Sequence, residues 1–204
     1  MALAKLDITL RNTEAAISRL QVHVAEAKVL APRFQHFIAE MVMLRLFSIF
    51  ESSVAELAYK LAAGATYTNG SPPSLNIQAN SVNGSRWLFL AHGRNKPKQN
   101  LQWTKASYIR ESVQHVIPDT EKFVFNIRAH GQTIEEMRRV RNVLAHQTST
   151  AKANYRDVLR QAYGANVQVA PGAFLTSTTR STTRKIDWYL ASTRVILRDA
   201  ASGS

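Results

Sequence analysis

Between Met41 and Phe50 the chain reads Met-Val-Met-Leu-Arg-Leu-Phe-Ser-Ile-Phe, apolar on nearly every side of a helical wheel. A helix hydrophobic all round has to be enclosed by other elements. The pattern around it predicts a helix from about Phe34 to Ala63, so this segment calls for a bundle built around one central, buried helix. Its few polar side chains, Arg45, Ser48, Glu51, Ser52 and Glu56, fall along one side. Buried charge is costly unless paired or used, so this stripe is either the wall of a functional cleft or an internal pair of the Arg45–Glu51 type that holds the bundle.

Leu3, Leu6, Leu10, Thr13, Ile17, Leu20, Val24 and Ala27 recur at steps of three and four residues, predicting a helix over residues 3–30 that Pro32 ends. Residues 64–100 are rich in turn formers and read as a surface insertion, with Asn69-Gly70-Ser71-Pro72-Pro73 at its centre. Within it, periodicity leaves Trp87-Leu88-Phe89-Leu90 open between a strand and a turn of helix. The loop His92-Gly93-Arg94-Asn95-Lys96-Pro97-Lys98 is basic. Helices are expected over 103–116, 119–129, 155–163, where Gly164 closes the last, and 184–200. Val167–Val169 and Phe174–Thr176 flank Pro171-Gly172, which predicts a small hairpin. The expected architecture is all-α: a bundle over 1–163, with a C-terminal elaboration of hairpin plus helix over 164–204 packed on it.

At 204 residues and 45% hydrophobic content, one well-buried domain is the natural size. Lys and Arg total 26 against 14 acidic residues, and the net charge of +12 favours a polyanionic partner such as RNA or DNA. Cysteine is absent, which excludes disulfides, thiolate zinc ligands and cysteine nucleophiles. The six histidines show no metal-ligand spacing, so neither a metal nor a cofactor is expected. No Gly-x-Ser-x-Gly, Walker or dinucleotide-binding glycine pattern occurs. Neither a secretory leader nor a membrane span is recognisable, so a cytoplasmic protein is expected.

Chemistry concentrates in one helix. Thr133 and Glu136 have the spacing of a capping box after Gly131, which places the helix start near Thr133. Ile134, Met137, Val140, Val143 and Leu144 then form an apolar arc. Arg138, Arg139, Arg141, Asn142 and His146 share an opposite arc of roughly 160°. Arginine binds phosphate oxygens bidentately and stays charged, whereas histidine moves protons near neutral pH. A surface helix that merely places cations at its C-terminal end has the same pattern.

Arg141-Asn142-Val143-Leu144-Ala145-His146 resembles the Arg-x4-6-His signature of HEPN domains, including the Asn after the Arg and the small residue before the His. Leu44–Ser53 is similar to the long second helix of the bacterial ribonuclease-like and phage-defence members. The resemblance follows helix order over about residues 1–163. It implies an all-α bundle that homodimerises so that two Arg/His motifs meet in one cleft, and a metal-independent endoribonuclease of the toxin or antiviral-defence type. An antitoxin or other regulatory partner would go with such a role, and a membrane would not.

On that reading His146 exchanges protons at the ribose 2′-hydroxyl and the leaving oxygen, and Arg141 binds the scissile phosphate. Asn142 orients His146 or the phosphate, and Glu51 stands in for the acidic residue the family often carries on its second helix. Arg45, Arg138, Arg139, Arg180, Arg184 and Lys185 are the expected RNA-binding cations, the last three in the hydroxyl-rich segment Thr176–Lys185, which reads equally as a plain linker. Two alternatives stay open: a non-catalytic HEPN module that binds RNA or a nucleotide, and a helical interaction subunit for an acidic partner.

Overall fold

A computed structural model describes residues 5–179 and 181–204. Nine α-helices and one 3-10 turn account for the regular structure among these residues, and none of them lies in a strand. The helices are α1 (Leu6–Glu26), α2 (Pro32–Ala62), α3 (Val82–Ala91), α4 (Ala106–Val113), α5 (Lys122–Ala129), α6 (Gly131–His146), α7 (Ser149–Tyr163), α8 (Pro171–Thr176) and α9 (Lys185–Ser202). The all-α expectation therefore holds, and no described helix is long and apolar enough to cross a membrane.

The chain divides into two compact units. The first comprises residues up to Glu14, Phe50–Ile134 and Val195–Ser204. Its core gathers Val54, Leu57 and Leu61 of α2, Phe89 of α3, Ile109 and Val113 of α4, and Phe123 and Ile127 of α5. Tyr59, Phe89 and Trp103 meet ring to ring, Tyr59 and Phe89 stacked at 5.7 Å between centroids. Trp87–Leu90 is helical, because Ser81 caps α3 by accepting a hydrogen bond from Gly84 N at 3.0 Å. Residues 64–100 thus contain a helix as well as turns. Arg94 of the basic loop spends its guanidinium on main-chain carbonyls, donating to Glu111 O at 2.7 Å and Phe89 O at 3.1 Å. It pins the loop rather than offering a free cation.

The second unit comprises Ala15–Ile49 and Glu135–Arg194. Its core is built from Ile17, Leu20 and Val24 of α1, Val42, Met43, Leu46 and Phe47 of α2, Met137, Val140 and Val143 of α6, Val158 and Leu159 of α7, and Ile186, Tyr189 and Leu190 of α9. Each such side chain contributes about 1.5–3 kcal/mol by leaving water.

Three expectations are corrected here. The central helix is not enclosed on all sides: Phe34, Phe37, Met41, Arg45 and Ser48 are exposed along one edge of α2. The polar stripe from Arg45 to Glu56 is accordingly not a set of buried charges. The hairpin expected over 167–176 does not form, because Pro171 starts α8 and its fixed φ suits the first turn of a helix. Phe174 N bonds back to Ala170 O at 2.9 Å, so Phe174–Thr176 are helical. Residues 165–170 before it carry no regular structure. Helix α7 starts at Ser149, six residues earlier than Tyr155, since Thr148 accepts from Ala151 N at 3.2 Å as an N-cap. Gly164, in the left-handed region at φ 72°, ends it as expected.

Candidate functional site

Helix α6 begins at Gly131, with Ile134 N bonded to His130 O at 3.1 Å, so Thr133 sits inside the first turn and is not a cap. Glu136 has other work. Its Oε1 accepts from the Tyr189 hydroxyl at 2.7 Å and lies 2.6 Å from Lys185 Nζ. Tyr189 is fully buried, and burial followed by the Glu136 charge pushes its phenol well above the usual range. This pair ties the motif helix to α9 within the second unit. Ile134, Met137 and Val140 are buried as the apolar arc requires.

At the other end of α6 the motif residues converge. Arg141 Nη1 donates to Asn142 Oδ1 at 3.2 Å and lies 3.3 Å from His146 Nε2. Guanidinium N–H groups only donate, so this contact makes Nε2 the acceptor and places the neutral ring's proton on Nδ1. The guanidinium carbon lies 6.0 Å from the Phe47 ring centroid, a cation–π placement. Phe47, fully buried on α2, is a supporting residue that the sequence did not single out. Among the described residues of this unit no carboxylate pairs with Arg141. His146 is exposed and Arg141 and Asn142 are half-buried, so the group faces solvent from a packed base.

The chain after the motif is sharply turned. Gln147 adopts φ 45°, the only positive φ at a non-glycine among the described residues. That left-handed residue stops α6 at His146 and delivers Thr148 to the cap of α7. Side chains other than glycine pay about 1–2 kcal/mol for this conformation.

The neighbouring arginines are committed elsewhere. Arg138 makes a two-pronged contact with Glu135, at 2.9 Å from Nε and 2.7 Å from Nη2. Arg139 Nε donates to the same carboxylate at 2.9 Å, and its Nη1 is 3.7 Å from Asp157. Partial burial raises the pKa of Glu135, but the hydrogen bonds and charges of Arg138 and Arg139 outweigh it and hold the carboxyl at about 2.

Lys185 and Arg184 are engaged by other residues of the second unit. Lys185 is enclosed by Glu136 and by the Trp188 and Tyr189 rings, at 4.0 and 5.1 Å. Arg184 pairs with Asp187 at 2.7 Å and also reaches Val24 O. Arg45 is exposed and borders a groove with His23, Phe37 and Met41. Glu51 is half-buried and belongs to the first unit. Glu56, in that unit too, pairs with Lys60 at 2.7 Å and accepts from Thr9. Arg180 lies outside the described residues.

A cavity of about 690 Å³ opens where α6 ends. Val143, Leu144 and Gln147 form one wall, α7 another through Lys152, Tyr155, Arg156 and Leu159, and Val167–Pro171 a third, with Glu40 at its edge. Tyr155 donates to Val169 O at 3.1 Å, fastening the third wall to α7. Burial pushes the Tyr155 phenol above its usual range. A polar cleft of about 430 Å³ shares Arg156, Val167 and Gln168 with it and adds Arg160, which pairs with Asp157 at 3.2 Å. Sequence reasoning missed these cations, although Lys152, Arg156 and Arg160 repeat every four residues, which is the signal of a basic helix face.

No cluster of three or more metal-ligating side chains occurs among the described residues. The chain matches no protein-family model, no curated protein and no solved structure.

Proposed function

We propose that the chain is a metal-independent endoribonuclease of the HEPN kind, acting through Arg141 and His146. The observation that supports it most is the 3.3 Å approach of Arg141 Nη1 to His146 Nε2 on a solvent-facing helix end. The Arg-Asn-Val-Leu-Ala-His pattern and the charge of +12 add to it. An incoming phosphate competes for the guanidinium, a stronger charge-assisted partner than an imidazole. Its arrival leaves the Nε2 lone pair free.

His146 Nε2 then takes the 2′-hydroxyl proton as the 2′-oxygen bonds to phosphorus. The bond from phosphorus to the 5′-oxygen breaks, and His146 Nε2 returns the proton it took to that leaving oxygen. The products are a 2′,3′-cyclic phosphate and a 5′-hydroxyl, while DNA stays intact. Arg141 stabilises the charge gathering on the non-bridging oxygens. Asn142 holds Arg141 in line. The family resemblance adds a homodimer joined across this face, and a toxin or phage-defence role.

The test is incubation of labelled RNA in EDTA with wild type, Arg141→Ala and His146→Ala proteins, followed by end-group analysis. Cyclic phosphate ends that both substitutions abolish are the expected result. RNA that is bound but stays whole, with binding unchanged in His146→Ala, selects the non-catalytic module instead.

A further inference from the structure

The cavity beside the motif has the make-up of a nucleotide site. Its volume of about 690 Å³ falls in the range of small-molecule pockets, roughly 300–1,000 Å³. Val143, Leu144, Leu159, Val167 and Val169 give it apolar walls, side chains suited to the flat faces of a base.

Two features favour a nucleotide over a purely apolar ligand. Lys152 and Arg156 stand at the mouth, both exposed, on one face of α7. Val167 and Gln168 lie outside any helix, so their main-chain N–H and C=O groups are not spent on a helical ladder and suit the edge of a base. The contiguous polar cleft extends the site along Arg156 and Arg160.

Position gives the site its meaning. Val143, Leu144 and Gln147 line the cavity, and Arg141, Asn142 and His146 occupy the same last turns of α6. The cavity opens on the Val143, Leu144 and Gln147 side of α6 and the motif side chains lie on the other, so the two are separated by one helix width, roughly 10–12 Å, along the same last turns.

We infer that the cavity walled by α6, α7 and residues 167–171 seats one nucleotide of the RNA strand beside the scissile phosphate, and so sets which base is preferred at the cut. This rests on the ribonuclease reading for the identity of the strand. The chemistry recognised is an apolar base face, a base edge and an adjoining phosphate.

The test uses the full chain and two substitutions outside the motif. Val167→Trp fills the cavity from a segment without regular structure, and Lys152→Glu reverses a charge on an exposed face. Binding of the four nucleoside 5′-monophosphates and of a non-cleavable trinucleotide with 2′-O-methyl riboses is measured by calorimetry, with thermal melts to confirm folding. Base preference is read from cleaved mixed-sequence RNA. The expected result is trinucleotide binding tighter than mononucleotide binding, weakened at least tenfold by each substitution, with base preference flattened by Val167→Trp. Affinity and preference unchanged in both folded variants overturn the inference, even where RNA is cleaved. Mononucleotides bound more tightly than the trinucleotide also overturn it, in favour of a free nucleotide. RNA left whole while trinucleotide binding still depends on Val167 and Lys152 sinks the nuclease and keeps the site.

Discussion

Glu135 grips Arg138 with both carboxylate oxygens, at 2.7 and 2.9 Å, and takes Arg139 as well. One carboxylate thus engages two of the three arginines in the helix and leaves the third, Arg141, to the histidine.

The depressed pKa of Glu135 gives the fold an acid-side dependence. A carboxyl near 2 in the folded chain and 4.5 in its ordinary state adds stability that is complete above about pH 4.5 and disappears as the pH falls towards 2. Glu135→Gln should remove that part of the acid dependence and lower stability at neutral pH. Denaturation midpoints between pH 2 and 7, for wild type and variant, check it.

Removing His146 should cut RNA cleavage by about 10²–10⁴-fold, the usual worth of a positioned proton-transfer group. Arg141→Lys keeps the charge but loses the planar fork, and should still slow cleavage by at least tenfold. Arg138→Ala, whose guanidinium is held by Glu135, should reduce the rate much less. Single-turnover rates with a short labelled RNA rank the three, and a rate for Arg138→Ala below that of Arg141→Lys would contradict this assignment.

Gln147 offers a test of backbone strain. Glycine enters the left-handed region freely, so Gln147→Gly should raise stability by a few tenths to about 1 kcal/mol, the relief being partly offset by a more flexible unfolded chain. Gln147→Val, with a branched Cβ at φ 45°, should lower it by more than about 1 kcal/mol. Urea titrations of the two variants should bracket the wild type.

Tyr189→Phe deletes the hydroxyl that Glu136 accepts at 2.7 Å, and should cost about 1 kcal/mol at neutral pH, because Lys185 still serves the carboxylate. The raised phenol pKa adds a second signature. Above pH 10.0, the ordinary value, the unfolded chain releases this proton while the folded chain retains it, so stability falls as pH rises. The variant should lose stability less steeply there, as chemical denaturation at pH 9 to 11 would show.

Strong periodicity made the long helices legible: Ile134, Met137, Val140 and Val143 of α6 and Leu6, Thr13, Ile17, Leu20 and Val24 of α1 are buried where their spacing puts them, Leu3 lying outside the described residues. Arg141, Asn142 and His146 were legible as a group for the same reason. What local pattern missed was settled by tertiary partners. Thr133 and Glu136 match a capping box, yet Glu136 finds Tyr189 and Lys185, which are more than forty residues away in the chain. Phe174–Thr176 is too short a run for period two or 3.6 to decide, and Pro171 decided it. Lys185 looked like a cation for phosphate, and no reading of neighbours along the chain brings Glu136 to it.

Gly172 is buried in α8, where an added Cβ would come within 2.6 Å of His36 Cβ and 2.8 Å of the Glu40 carboxylate that accepts from its own N–H. Helix α8 therefore touches α2 main chain to side chain, with no room for a methyl group. In a mutational scan read by activity, position 172 should look as intolerant as the motif itself while having no chemical part in it. Intolerance there would trace the closeness of two helices, and a scan scored separately for protein abundance would tell it apart from His146.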